Sequence, residues 1–186
     1  MKHLNSEVLF CCIDFFVRAM VAYVKNEEEV DEMNEQTKES LLSHYAMTMT
    51  YVKDLEQISE ETWRTSYAEG KWTVAEIIGH LSPWDRFMVA ERIPYLLAGE
   101  PFRVAPDSQA VNEEAAKMSR EQQRILTIDE FLVSRDLLSR AVELIPEERL
   151  QDKVVIKDKE LTIGQFLGAM AQHDLHHMEQ INQVIG

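Results

Sequence analysis

Residues 162–185, TIGQFLGAMAQHDLHHMEQINQVI, decide the fold of this chain. Thr162 stands three residues before Gln165, the spacing of a capping box at a helix start. From there Phe166, Met170, His173, His177, Ile181 and Val184 recur in steps of four and three, which keeps them on one helical face. That face is apolar at both ends and carries two imidazoles in its middle. Three of the six histidines of the chain fall within this one helix. His173 and His177 are one turn apart, with Cβ atoms about 6 Å from each other. This is the geometry by which one helix offers two imidazoles to a single metal ion. His176 is rotated by roughly 100° from His177 and belongs at the edge of the buried face or in solvent.

The rest of the chain is consistent with a helical protein. It has 186 residues, of which 45% are hydrophobic and 28% charged, enough for one domain with a real core. Six glycines and five prolines favour long helices over a turn-rich β fold. A net charge of −14 argues against nucleic-acid binding, which needs clustered Lys and Arg. Cys11 and Cys12 are adjacent and form no disulfide framework or metal motif, so a reducing, cytoplasmic setting is expected. Residues 8–24 are apolar but too short and too charged for a membrane span, and no cleavage site follows them. The acidic run 27–33, EEEVDEM, can be encoded by a ribosome-binding sequence just upstream of Met33. Residues 1–32 are therefore expected to be an extension, or upstream sequence read in frame, with the domain proper at 33–186.

Four helices account for that domain. The first is expected from Glu35 to Ile58, burying Leu41, Leu42, Tyr45, Met49, Val52 and Leu55. The second opens on a capping box, Thr73 to Glu76, and buries Ile77, His80, Leu81, Trp84, Phe87 and Met88 before ending near Gly99. Pro83 and Pro94 should bend or break it. A long connection, 99–126, holds a short polar helix around 111–122. A further capping box, Thr127 to Glu130, is expected to start the third helix, which buries Phe131, Leu138, Val142 and Ile145 and stops at Pro146. DKVVIKDKELT, residues 152–162, reads as a small extended excursion before the fourth helix. The expected class is all-α, a four-helix bundle with one long crossover between helices two and three.

A third metal ligand must come from another helix, and His80 lies on the buried stripe of helix two. A lone histidine on an apolar face is ordinarily a core residue bonded to a carbonyl, but three on facing stripes are harder to explain that way. His44 in helix one is a further candidate to join the site, but like His3 it is expected to be an exposed residue. Three imidazoles leave a coordination position open, as in catalytic rather than structural zinc sites. Such an ion lowers the pKa of a bound water or thiol, and zinc and nickel both suit imidazole.

WTVAEIIGHL at 72–81, VNEEAAKMS at 111–119 and HDLHHMEQI at 173–181 together resemble the DinB-like, or YfiT-like, metal-dependent family. The resemblance runs from about Met33 to Gly186. It implies an up-down-down-up bundle with a divalent metal at one end. Its ligand pattern, one His in helix two and an HxxxH in helix four, falls on His80, His173 and His177. It also implies an enzyme that transfers a low-molecular-weight thiol such as bacillithiol or mycothiol to an electrophile. The alternatives are a hydrolase using metal-activated water, and a non-catalytic metal-binding or stress-response module. His176, Asp174, Asp85 and Gln180 are candidates for orienting or supporting roles. A homodimer, a small-molecule substrate and no nucleic-acid or membrane partner are expected.

Overall fold

The computed structural model describes residues 36–156 and 159–186. The expectations for residues 1–32, for the Met33 start and for His3, Cys11 and Cys12 lie outside the described residues. Helix α1 spans Lys38–Asp54, capped by Thr37, whose hydroxyl accepts from the amide of Ser40. It gives way to a 3-10 turn, Leu55–Gln57, one turn short of the expected end at Ile58. After the single turn α2 (Glu60–Trp63), helix α3 runs Val74–Glu91. Both halves of its capping box form, with Thr73 and Glu76 bonding each other's backbone amides. Helix α3 continues through Pro83 and breaks only at Arg92, after which Ile93 and Pro94 open α4 (Ile93–Ala98). Pro94 at the start of α4 loses no bond there, because first-turn amides have no helical acceptor. Gly99 ends α4 at φ 66°, the left-handed conformation that glycine adopts without cost.

The connection contains α5, Ser108–Glu121. Helix α6 spans Arg124–Glu143, starting a turn earlier than expected. Gln123 holds the cap position, and the amide of Thr127 already bonds its carbonyl. The hydroxyl of Thr127 is buried and accepts from Gln122 Nε2 at 2.8 Å, so Thr127 packs inside the first turn instead of capping it. Strands β1 (Lys153–Ile156) and β2 (Lys159–Thr162) pair antiparallel, Lys153 with Thr162, as the excursion expected before the last helix. Helix α7, Ile163–Ile185, follows from β2, and Thr162 and Gln165 form the expected capping box.

Helices α1, α3, α6 and α7 form the bundle, and the packing gives their directions. Residues early in α3 pack with residues early in α6, and late with late, so the two run parallel. In α1 and α7, His44 meets Asp174 and Tyr51 meets Asn182, so these also run parallel. Leu41 and Tyr45 share a core cluster with Met88, whereas Val52 and Leu55 share one with Val74 and Ile77, so α1 and α3 are antiparallel. The result is the expected up-down-down-up arrangement, with α4 and α5 on the crossover.

The core is two apolar clusters with a polar layer between them. One cluster gathers Leu41, Tyr45, Met88, Leu138 and Met170; the other gathers Val52, Leu81, Phe131 and Ile181. Between these positions every bundle helix contributes a polar residue: His44 and Thr48, Asp85, Ser134 and Arg135, and Asp174. Arg135 donates through Nε to Asp85 at 2.9 Å and through both terminal nitrogens to Asp174. A guanidinium only 2% exposed needs such partners, since an isolated buried charge is strongly disfavoured.

Candidate metal centre

The capping box of α7 fixes where its helical phase begins, and the phase turns His173 and His177 inward. Both are buried, while His176 is half-buried at the edge of the face, as expected from its rotation. His80 is fully buried on α3. One ligand nitrogen from each of His80, His173 and His177 lies within 4.8 Å of the other two. His177 Nε2 is 3.1 Å from His173 Nε2. Two imidazole nitrogens on one tetrahedral zinc, at bond lengths of about 2.0–2.1 Å, sit roughly 3.3 Å apart. The cluster is thus close to the size that one ion requires.

The tautomers also fit. His80 Nδ1 is 2.5 Å from the carbonyl of Ile77, which can only accept, so Nδ1 carries the proton and Nε2 carries a lone pair. That Nε2 is buried and has no hydrogen-bond partner. A buried acceptor without a partner costs about 1–3 kcal/mol, and a metal ligand is the role that would justify it. His177 Nδ1 donates to Gln180 Oε1 at 2.8 Å, leaving its Nε2 to face the cluster. Gln180 Nε2 in turn donates to His176 Nε2 at 2.8 Å and to the hydroxyl of Tyr67 at 3.2 Å. The Trp72 indole covers one side, with its ring centroid 4.7 Å from that of His80.

Burial holds these imidazoles neutral. Desolvation, then the proximity of His177 and His173, keeps the pKa of His80 well below 6.5. Desolvation also lowers His173, with His177 next in effect, and pulls His177 down to about 4. Neutral imidazole is the form that binds a metal.

The supporting candidates divide. Gln180 holds His177, and His176 contacts Gln180 at the rim of the cluster. Asp174 and Asp85 face away from it, toward Arg135. Burial drives Asp85 up to about 6 despite Arg135, whereas for Asp174 Arg135 and His44 outweigh burial and hold the carboxyl at about 2. His44 is not exposed as expected: its side chain is 10% accessible and its Nε2 lies 2.9 Å from Asp174 Oδ2. Helix α1 rotates His44 toward α7 because Tyr45 and Thr48 beside it are both buried. Arg135 and Trp72 were not among the expected site residues. Arg135 lies on the same face as Phe131, Leu138 and Val142, and a cation at such a position signals a buried carboxylate elsewhere.

The model of the DinB superfamily matches residues 41–181, three-quarters of the chain and every residue named in this section. The chain belongs to the DinB superfamily. Among solved structures it is similar to one described as "YfiT from Bacillus subtilis is a probable metal-dependent hydrolase with an unusual four-helix bundle topology". The two are 18% identical, with a TM-score of 0.66 over 79% of this chain and 85% of the other. That likeness is one of fold, and it agrees with the up-down-down-up bundle seen here. No curated protein matches the chain by sequence. Among the described residues, no helix is long and apolar enough to cross a membrane.

Proposed function

We propose that this DinB-superfamily protein is a metal-dependent enzyme that transfers a low-molecular-weight thiol, of the bacillithiol or mycothiol class, to an electrophile. His80, His173 and His177 would hold a divalent ion, zinc or nickel. The observation that carries the reading is the buried, unpartnered Nε2 of His80 facing two further imidazole nitrogens. When bound, the ion would supply Lewis acidity and an open position at which a thiol ionises near neutral pH. The residues of the chain do the rest. Ile77 and Gln180 fix two imidazole tautomers, and the surrounding burial keeps all three rings neutral. Trp72 walls one side of the cluster and limits access by water. In the reaction the thiol proton passes to solvent, the sulfur forms a bond to carbon, and the leaving group departs with its electron pair.

Hydrolysis is the second reading, favoured by what is said of YfiT. A general base beside the metal would favour it. Among the described residues no carboxylate joins the three histidines, and Asp174 is committed to Arg135 and His44. This supports thiol transfer ahead of hydrolysis, since a thiol is acidic enough to ionise without a dedicated base. The test is turnover by metal-free, zinc-loaded and nickel-loaded protein, with bacillithiol plus a bimane electrophile in one arm and nitrophenyl esters in the other. Metal-dependent thiol consumption is expected. Ester hydrolysis without thiol transfer would establish the second reading, and turnover indifferent to metal would end both.

A further inference from the structure

The two imidazole-bearing faces continue beyond the histidines as a seam. On α3 the face runs His80, Trp84, Phe87; on α7 it runs back from His177 through His173 and Met170 to Phe166. The helices are antiparallel, so the far ends of both faces meet, in the cluster that joins Met88 to Phe166 and Met170. Trp84, Phe166, Met170, His173 and His177 are each 7–9% exposed, whereas Leu138 and Ile128 on the opposite side of the bundle are at 0%.

Arg92 closes its far end. Its guanidinium lies 4.3 Å from the Phe87 ring centroid and 4.7 Å from that of Phe102, and Phe102 packs on Phe166. Arg92 is 7% exposed, yet among the described residues no carboxylate forms an ion pair with it. One terminal nitrogen donates to the carbonyl of Glu91 at 2.8 Å, out of five N–H donors on a guanidinium. Burial lowers its pKa, opposed by the charge of Glu91. Arg135, buried more completely at 2% exposure, has two carboxylates. A desolvated guanidinium caged by aromatic rings, with most donors uncommitted, is built to receive an anion.

We infer that the substrate is an elongated molecule carrying a carboxylate, which Arg92 binds while the reacting head sits at the three histidines. This rests on the metal reading of the cluster, because the head must be anchored there. From His80 to Phe87, and from His173 back to Phe166, is two helical turns, roughly 10 Å at about 1.5 Å per residue. The separation of head and carboxylate should match that span.

Hydroxamates test this without assuming a reaction, since they bind divalent metals directly. Zinc-loaded protein is titrated by calorimetry with suberic acid monohydroxamate, whose extended chain spans roughly the same 10 Å, and with its methyl ester. The free acid should bind about tenfold to a hundredfold more tightly than the ester, the range of a charge-assisted hydrogen bond. Shortening the diacid to succinic acid monohydroxamate should abolish that preference. Arg92→Met should remove it too, while ester affinity, zinc content and circular dichroism remain those of the wild type. Equal binding of acid and ester by the wild type, or an acid preference that survives Arg92→Met, overturns the inference and leaves the metal reading intact. Failure of the protein to take up zinc overturns the metal reading; failure of zinc-loaded protein to bind either compound overturns the inference.

Discussion

Replacing Arg135 by methionine should be among the most destabilising single changes in the bundle. The side chain is 2% exposed and bonds Asp85 and Asp174, themselves at 1% and 3%. Methionine keeps much of the volume, so the loss is electrostatic. Two buried carboxylates would remain, with Ser134 and His44 as their side-chain partners. Removing one member of a buried ion pair costs about 3–5 kcal/mol, which for a protein of this size lowers Tm by roughly 6–20 °C. The deficit should depend on pH in a definite direction. Arg135 is what holds Asp174 down at about 2, below its usual 3.8, so in the wild type Asp174 adds stability that is lost only as pH falls from 3.8 toward 2. Without Arg135 both carboxyls have folded pKa values raised by burial. They then destabilise at neutral pH and are relieved as they protonate, beginning for Asp85 at or above pH 6. The histidines act oppositely, since a folded pKa lowered to about 4 costs stability as pH falls below 6.5. This holds in both proteins, but less for His173 in the variant, where the charge of Arg135 no longer lowers it, so the gap again narrows on acidification. Urea unfolding followed by circular dichroism at pH 7 and pH 5 measures the gap. A variant within about 1 kcal/mol of wild type at pH 7, or a gap that widens on acidification, would refute the reasoning. Adding Asp85→Leu and Asp174→Leu should recover most of the loss, because no charge is then left alone.

Three further outcomes are expected. Elemental analysis should find stoichiometric metal lost in His173→Ala and in His177→Ala but largely kept in His176→Ala; equal loss in all three would mean that the α7 phase is wrong. Gly79→Ala should cost about 1–3 kcal/mol by overpacking, since its Cβ would lie 1.6 Å from Ser119 Oγ, and Ser119→Gly should restore part of it in a thermal melt. A chain beginning at Met33 should fold and load metal like the full chain; an unfolded product by circular dichroism would show that residues 1–32 belong to the domain.

The last helix was legible because two local signals agree there. The Thr162–Gln165 box sets its start, and the steps of four and three set its face, so the inward turn of His173 and His177 followed from sequence. His80 was legible for the same reason, placed by the box at Thr73. The similar box at Thr127 misled, because a buried threonine can spend its hydroxyl on Gln122 while the helix begins before it. Pro83 did not break α3; the rupture fell at Arg92, where Pro94 could open a new helix instead. The polar layer was the least legible part. Arg135 stands plainly on an apolar face, but its partners come from α3 and α7, far away in sequence, and only packing brings them together. His44 was missed because the apolar face of α1 is weak, so the burial of Tyr45 and Thr48 that turns it toward α7 is hard to read from sequence.

The measurement that tests the central claim most directly is a zinc and nickel titration of His80→Ala beside the wild type, by calorimetry with circular dichroism alongside. Only folding brings His80 to the other two ligands, and without it two imidazoles on one helix remain. The wild type should bind one ion, and binding should persist below pH 6.5, because its imidazoles resist protonation until nearer the value of about 4 held by His177. The variant should keep its helical signal at a stability cost of about 1–3 kcal/mol and lose stoichiometric binding of either metal. A folded His80→Ala protein that binds metal with wild-type affinity would contradict the account.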